Sequence, residues 1–162
     1  MADRVVVVMG PSGCGKSTVG LAAARLAGAG FLDADDHHTD EAKARMAAGV
    51  PLTDAERAPW VRRLSAAVRD APEGRVVLAC SALSALVREW LCAALPGEPA
   101  FVLLDVPDDV LRARLERRPG HFAGPSLLAS QRAALDAAGT HRLDGTRSPR
   151  ALAREVASML TG

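Results

Sequence analysis

Apolar runs alternate along the chain with segments of helical periodicity. Residues 5–9, 76–80 and 101–104 form uninterrupted apolar runs, a pattern typical of strands buried on both faces of a parallel sheet. Two shorter segments, 31–33 and 141–143, are predicted as further strands. Helices are predicted at 18–27, 39–48, 54–69, 85–94, 108–117, 126–137 and 148–160. Strands that alternate with helices in this way indicate an α/β fold.

Composition narrows the classes of ligand. The 162 residues fit one domain, 1–162, because domains of this size are the commonest. Hydrophobic residues make up 49% of the chain but aromatic residues only 3%, so we expect a core of Val, Leu and Ala. A formal net charge of +1 creates no overall field that would attract nucleic acid or an acidic membrane. We therefore expect no nucleic acid and no membrane as partners.

The cysteines and the lengths of the apolar runs predict a cytoplasmic protein. Cys14, Cys80 and Cys92 are odd in number and lack the spacing of a zinc site. The apolar run at 5–9 is too short for a signal peptide. No segment approaches the roughly 18 uninterrupted apolar residues of a membrane span.

A phosphate-binding loop follows the first predicted strand. Gly10, Gly15, Lys16 and Ser17 match the pattern GxxxxGK[ST], with a strand before it and a helix after it, which is the context of a Walker A loop. Glycines allow the backbone to bend tightly and to bring its N–H groups against phosphate oxygens, where a Cβ would obstruct them. Lys16 is expected to reach the β and γ phosphates, and the Ser17 hydroxyl to coordinate Mg²⁺ near the positive end of the helix dipole.

This loop predicts ATP and Mg²⁺ as ligands. The residues expected to contact the nucleotide are Gly10, Ser12, Gly13, Cys14, Gly15, Lys16, Ser17 and Thr18. The alternative is a glycine-rich turn with a solvated lysine, and the flanking strand and helix argue against it. The loop does not indicate whether the γ phosphate passes to water, to a protein or to a small molecule.

Beyond the loop, the chain resembles the gluconokinases, a family of small P-loop kinases related to shikimate and nucleoside monophosphate kinases. The resemblance spans nearly the whole chain. It rests on GPSGCGKST at 10–18, FLDADDHH at 31–38, KARMAAGVPLTDAERAPW at 43–60, CSAL at 80–83, RLERRPGHF at 114–122 and LLASQ at 127–131. It implies a P-loop NTPase fold, with a five-stranded parallel sheet in the order 2-3-1-4-5, helices on both faces and a lid at about 118–126.

The same resemblance implies an activity. A member of this family would use ATP to phosphorylate the terminal hydroxyl of D-gluconate and give 6-phospho-D-gluconate. Many relatives form homodimers, so a homodimer is also compatible with the resemblance.

Two aspartates follow the second predicted strand, where ligands sit in open α/β sheets. Alternate residues of an extended segment face the same way, so Asp33 and Asp35 are both expected to face the phosphate loop. By resemblance, Asp35 is the catalytic base that meets the acceptor hydroxyl, Asp33 holds magnesium through water, and His38 contacts the acceptor. The alternative is that an aspartate caps the turn that follows.

Two arginines precede the predicted lid. Arg114 and Arg118 are four residues apart and therefore lie on one helical face. Positioned cations stabilise the negative charge that spreads over a transferring phosphoryl group, so both are candidate catalytic residues. The alternative is that both arginines are solvated at the end of a helix, where their charge interacts favourably with the helix dipole.

Four further residues are candidates for binding the acceptor. Arg57 and Arg88 carry guanidinium groups that suit a carboxylate, although a salt bridge on a helix surface also explains Arg88. Trp60 could form an apolar wall under the sugar chain or simply fill the core. His121, in the lid, could touch the acceptor or the phosphates.

Three positions on the acceptor side depart from the family pattern. Ala42, Ser84 and Val87 stand where the family usually has asparagine, lysine and tyrosine. An acceptor other than gluconate, such as another sugar acid, shikimate or a nucleotide, therefore stays open. A nucleotide-binding module without catalysis is a third reading, and the presence of Lys16 and Asp35 argues against it.

Overall fold

A computed structural model describes residues 3–117 and 125–162, and of 125–127 only the backbone. The predicted lid at about 118–126 lies outside these residues except for its last two positions, and Arg118 and His121 lie outside them as well. The strands are β1 (Arg4–Met9), β2 (Gly30–Asp33), β3 (Arg75–Ala79), β4 (Ala100–Asp105) and β5 (His141–Asp144). The helices are α1 (Lys16–Ala27), α2 (Asp40–Ala47), α3 (Asp54–Asp70), α4 (Ala85–Ala94), α5 (Asp108–Glu116), α6 (Pro125–Ala134) and α7 (Pro149–Thr161), with a short 3₁₀ helix at Ala34–His37.

The sheet has five strands, all parallel, in the order β2-β3-β1-β4-β5. This confirms the predicted order and class. Val6 in the central strand is level with Val77 of β3 and with Ala100 of β4. Because the strands are parallel, their carboxyl ends meet at one edge, and the loops that leave this edge form the usual ligand-binding face of such a sheet.

Two apolar layers hold the helices against the sheet. Along β1, Val6 and Val8 pack with α1 and α7, while Val5, Val7 and Met9 pack with α3 and α4. This alternation explains why β1 is apolar at every position after Arg4, since each face of the strand is covered by helices. None of the helices in the described part of the chain is long and apolar enough to cross a membrane.

Two predictions of local structure are wrong, one of a conformation and one of a helix end. The segment after β2 was expected to be extended, but Ala34–His37 forms a 3₁₀ helix whose first turn is capped by Asp33, because the Asp33 carboxylate accepts a hydrogen bond from the backbone N–H of Asp35. Helix α6 ends at Ala134 and not at 137. There the backbone N–H of Asp136 donates to the Leu83 carbonyl, which pulls the chain out of the helix.

Candidate active site

The phosphate loop leaves the central strand through glycines whose backbone conformations other residues rarely adopt. Gly10, Gly13 and Gly15 have φ of +145°, +87° and +96°. A Cβ at Gly10 would lie 2.7 Å from the Cys14 sulfur and 3.2 Å from the Leu104 carbonyl oxygen. At Gly10 both the conformation and the space therefore require glycine, which gives the predicted motif a local physical cause.

Helix α1 begins at Lys16, directly after the loop. No acidic side chain lies in its first turn and no side chain caps it, so its unpaired backbone N–H groups are available to an anion. Lys16 extends into a large cavity beside the loop. The loop, the helix terminus and the lysine together form a binding site for phosphate.

Ser17 and Asp33 come together across the loop, as the sequence predicted. The Ser17 hydroxyl donates to the Asp33 carboxylate at 2.8 Å, and the other carboxylate oxygen accepts from the Asp35 backbone N–H at 3.0 Å. Asp33 therefore both caps the 3₁₀ helix and faces the phosphate loop. A hydroxyl and a carboxylate are oxygen ligands of the kind that Mg²⁺ accepts when water and phosphate fill its other positions, so the residues present fit a magnesium nucleotide.

Asp35 lines the same cavity as Lys16. Solvent reaches the Asp35 side chain through the cavity. The surrounding protein still displaces enough water from the carboxyl to raise its pKa above the ordinary value of 3.8. The charge of Lys16 acts in the opposite direction, and that of Asp33 adds to the rise. A carboxylate of raised pKa is a better proton acceptor than an ordinary aspartate at neutral pH.

His38 and Trp60 form a stacked pair in the wall of the cavity. Their ring centroids are 4.5 Å apart with an interplanar angle of 8°, and the Trp60 indole N–H donates to the Ala34 carbonyl at 2.8 Å. Trp60 is buried, so it fills the core and also lines the cavity. Burial, and then the nearby charge of Arg63, lowers the pKa of His38 to about 4, which leaves this imidazole neutral at pH 7.

The cavity measures about 710 Å³ and is built from six segments of the chain. The phosphate loop and the 3₁₀ helix form one end, and α2, α3, the loop after β3 and α6 form the rest. Its chemically active side chains are those of Ser12, Lys16, Asp35, Asp36, His38, Lys43, Arg57, Ser81, Ser84, Ser130 and Gln131. This space accommodates a small polar acceptor next to the phosphate loop.

Two polar residues of the cavity, Gln131 and Lys43, had no assigned role in the sequence analysis. The Gln131 side chain accepts from the Ser12 backbone N–H at 2.9 Å and donates to the Ser12 hydroxyl at 3.3 Å. These two contacts tie α6 to the phosphate loop over 119 residues of sequence. The LLASQ segment, which ends on Gln131, was part of the family resemblance and was the only indication that this residue has a role. Its position along the sequence did not indicate a contact with the phosphate loop.

Arg88 does not occupy the place predicted for it. Its buried guanidinium donates to the carbonyls of Ala82, Leu83 and Ala138 at 2.9, 3.1 and 3.3 Å, and it is not among the residues that line the cavity. Ala82 has a φ of +45°, a strained conformation for a residue with a Cβ. The arginine therefore secures the irregular loop after β3 and is not available to a carboxylate in this conformation.

Arg57 does line the cavity. Its guanidinium lies 3.5 Å from the Asp54 carboxylate, one turn earlier on α3. The neighbouring wall is formed by two of the positions that depart from the family pattern: Ser84, whose hydroxyl caps α4 by accepting from the Val87 N–H, and Val87 itself. Ala42 is not among the lining residues.

A second cavity, of about 440 Å³, is lined by phosphate-loop residues that do not line the first one, Gly13, Cys14 and Gly15. Arg114, which was predicted near the phosphates, donates to the Gly13 carbonyl at 3.0 Å and lines this cavity. The loop between β5 and α7 adds Gly145 and Arg147, and α7 adds its first residue, Pro149. No residue near the C-terminus was predicted to contact the nucleotide, because a loop that meets the motif only in space leaves no local pattern.

Comparison with known proteins places this geometry in a known group. Residues 12–160 match the family model described as shikimate kinase. The chain is 43% identical to a probable gluconokinase of Mus musculus over 148 residues, which covers 80% of each chain. It is 39% identical over 163 residues to a gluconokinase of Gluconobacter oxydans (strain 621H), which covers 96% of this chain and 90% of the relative.

A solved structure is also similar. The crystal structure of a gluconokinase from Sinorhizobium meliloti 1021 superposes with a TM-score of 0.82 at 36% identity, over 98% of this chain and 92% of that one. The superposition therefore covers almost the whole chain.

Proposed function

The chain belongs to the gluconokinase family, and from this premise we propose that it transfers the γ-phosphoryl group of ATP to the terminal hydroxyl of D-gluconate. The products are ADP and 6-phospho-D-gluconate. As a member of this family it is a phosphotransferase that uses ATP. The observation that supports the proposal most is that Lys16 and Asp35 line one cavity, so that a phosphate group and an acceptor hydroxyl would meet there.

Each residue near the phosphate loop has a proposed task. The backbone N–H groups of the loop and the Lys16 ammonium hold the phosphates and stabilise the charge that develops on them. Ser17 and Asp33 would hold Mg²⁺, which supplies charge neutralisation when it is bound with the nucleotide. Arg114, fixed on the Gly13 carbonyl, would add a cation on the nucleotide side.

Asp35 is the proposed base. Its carboxylate accepts the proton of the acceptor hydroxyl as the oxygen of that hydroxyl forms a bond to the γ phosphorus and the bond between that phosphorus and the β–γ bridging oxygen breaks. His38 and Trp60 form the apolar wall against which the acceptor chain lies, and Arg57 lines the same cavity as a further cation. Arg118 and His121 lie outside the described residues, and their roles as a second cation and a lid contact stay predictions.

Shikimate is the second candidate acceptor. The match of residues 12–160 to the shikimate kinase family model favours it, as do Ser84 and Val87 in the cavity wall. Both candidates are small hydroxylated acids with one carboxylate, so the class of acceptor is the same in either case.

A panel of acceptors separates the candidates. Purified protein is incubated with ATP, Mg²⁺ and D-gluconate, shikimate or another sugar acid, and ADP release is followed while the phosphorylated product is identified by mass spectrometry. We expect turnover with D-gluconate and a product phosphorylated at the terminal hydroxyl. Turnover with shikimate and none with gluconate would reject the proposed substrate, and light scattering on the same sample tests for a homodimer.

A further inference from the structure

We infer that Lys43 binds the carboxylate of the acceptor and so determines the preference of this enzyme for an acid. The inference rests on the proposed function, because it assigns the residue that recognises the charged end of the acceptor. Nothing in the phosphate-loop motif or in the predicted acceptor contacts points to Lys43. Lys43 becomes a candidate because it lines the acceptor cavity.

The lysines of this chain are unusually placed. The chain contains 20 lysines and arginines, of which only Lys16 and Lys43 are lysines. Both line the large cavity, where Arg57 is the other cationic side chain among the described lining residues. All the other positions among these 20 carry arginine. The two lysine side chains of the chain therefore lie in the same site.

The neighbours of Lys43 leave its ammonium available. Among the described residues, Lys43 takes part in none of the ion pairs. The next cation along α2, Arg45, is paired with Glu56, and Arg57 is close to Asp54. Arg88 donates to three backbone carbonyls and does not line the cavity, and Lys16 belongs to the phosphate site. Among the described residues, Lys43 is therefore the cavity cation without an assigned partner.

Helix α2 directs Lys43 toward the acceptor. The helix begins after Thr39, whose hydroxyl caps it, and none of its residues is fully buried. Four of them, Lys43, Ala44, Met46 and Ala47, line the cavity, which is the spacing of one helical face. The exposed face of α2 therefore forms a wall of the acceptor site, and Lys43 supplies its charge.

The charge of Lys43 also acts on the residues around the acceptor position. It lowers the pKa of both Asp35 and His38, which is consistent with a location near the proposed base and the stacked ring. Asp35 and Asp36 are the acidic groups that share the cavity. Neutralising them is the competing role for Lys43, and the two roles differ in what a substitution would change.

An ammonium group suits this task. It is a compact charge on a flexible stem with three donors, so it can contact one carboxylate oxygen and an adjacent hydroxyl of a polyhydroxy acid together. A hydrogen bond that involves a charged group changes binding by a factor of about 10–100. An acid should then be preferred over its neutral amide by a similar factor.

The test combines a substitution with a change of acceptor. We compare wild type and Lys43→Met with D-gluconate and with neutral D-gluconamide, and determine kcat and KM for each. Lys43→Met is expected to raise KM for gluconate about 10–100-fold, to leave kcat within about threefold, and to change neither constant for gluconamide. Lys43→Arg should recover part of the loss, and Arg62→Met is the matched control because it removes one cation from an exposed position on α3.

The outcomes separate the inference from the proposed function. An unchanged KM for gluconate in a folded Lys43→Met protein overturns the inference, and so does an equal loss for gluconate and gluconamide. A fall in kcat with a shifted acid limb of the pH profile also overturns it, because that result would assign Lys43 to Asp35. If wild type phosphorylates no gluconate, the proposed substrate is rejected, and the same comparison with the acid that is phosphorylated and its amide then decides the role of Lys43.

Discussion

The phosphate loop and the acceptor cavity meet in one site but are specified in different ways. The loop occupies residues 10–17, and its shape follows from glycines that no other residue could replace without strain. The walls of the cavity come from six segments between Ser12 and Ala134. Phosphate recognition is therefore specified by one short continuous segment of sequence, whereas acceptor recognition depends on how elements far apart in the sequence pack together.

This difference predicts how each region responds to substitution. The loop binds through backbone N–H groups, so few single side chains other than Lys16 should abolish its function. The cavity binds through side chains, each of which contributes separately. Apart from Lys16 and the proposed base Asp35, substitutions of the lining side chains should change which acceptor is used before they stop phosphoryl transfer.

The largest expected effect is that of Lys16→Met. Loss of the only lysine in the phosphate loop should lower kcat/KM by roughly 10³–10⁵, the range for a cation that stabilises phosphoryl transfer. Lys16→Arg should recover little, because a planar guanidinium does not replace a compact ammonium in this loop. Steady-state kinetics with ATP and gluconate measure both variants. Recovery of wild-type rates by arginine would show that the site requires only a charge.

Asp35→Asn should follow, with a loss of about 10²–10⁴ in kcat if the carboxylate is the base. In wild type, activity should fall on the acid side with an apparent pKa above 3.8, because burial raises the pKa of Asp35 and only the deprotonated form accepts a proton. This acid limb should be absent in Asp35→Asn. Asp36→Asn removes the adjacent carboxylate and should retain the limb; if it loses the limb as well, the assignment of the base is wrong.

Arg88→Met should affect stability and leave recognition of the acceptor carboxylate intact. It leaves three carbonyls without their donor, so we expect the free energy of unfolding to fall by about 2–4 kcal/mol in urea titrations. Arg69→Met, which removes a single bond to the Ala94 carbonyl from an exposed arginine, should cost less than about 1 kcal/mol. Unchanged stability with a raised KM for gluconate would restore the role that the sequence suggested for Arg88.

The smallest predicted effect concerns His38. Its folded-state pKa of about 4 lies below its ordinary value of 6.5, so the neutral form is favoured on folding. The corresponding stability is complete above pH 6.5 and is lost as the pH falls toward 4. When the pH falls from 7 to 4, the Tm of His38→Gln should decrease by about 2–5 °C less than the Tm of wild type. The Tm of His37→Gln should decrease as much as that of wild type. Equal losses in all three proteins would contradict a buried neutral His38.

The difference between a locally specified loop and a cavity formed by long-range packing also explains which features could be predicted from the sequence. The five strands, the seven helices and the strand order are confirmed, because apolar runs and helical periodicity report burial directly and the resemblance supplied the order. The meeting of Ser17 with Asp33 and of Lys16 with Asp35 was also expected, since these residues follow β1 and β2, whose carboxyl ends lie at the same edge of the parallel sheet.

The side chains that depend on long-range packing were missed or misplaced. Arg88 was expected to face the acceptor, but the loop after β3 requires donors for its carbonyls, and that need appears only when the loop is folded. The tie between Gln131 and Ser12 joins residues 119 positions apart. The extended conformation assumed for Asp35 was wrong because Asp33 caps a 3₁₀ turn.

One carboxylate, that of Glu56, links two walls of the acceptor cavity. It completes the capping box of α3 with Thr53 and pairs with Arg45 of α2, so the elements that carry Arg57 and Lys43 are joined through a half-exposed ionic contact. Ions in solution screen such contacts more than they screen backbone N–H groups directed at a phosphate. Rising ionic strength should therefore weaken binding of the acceptor before it weakens binding of the nucleotide.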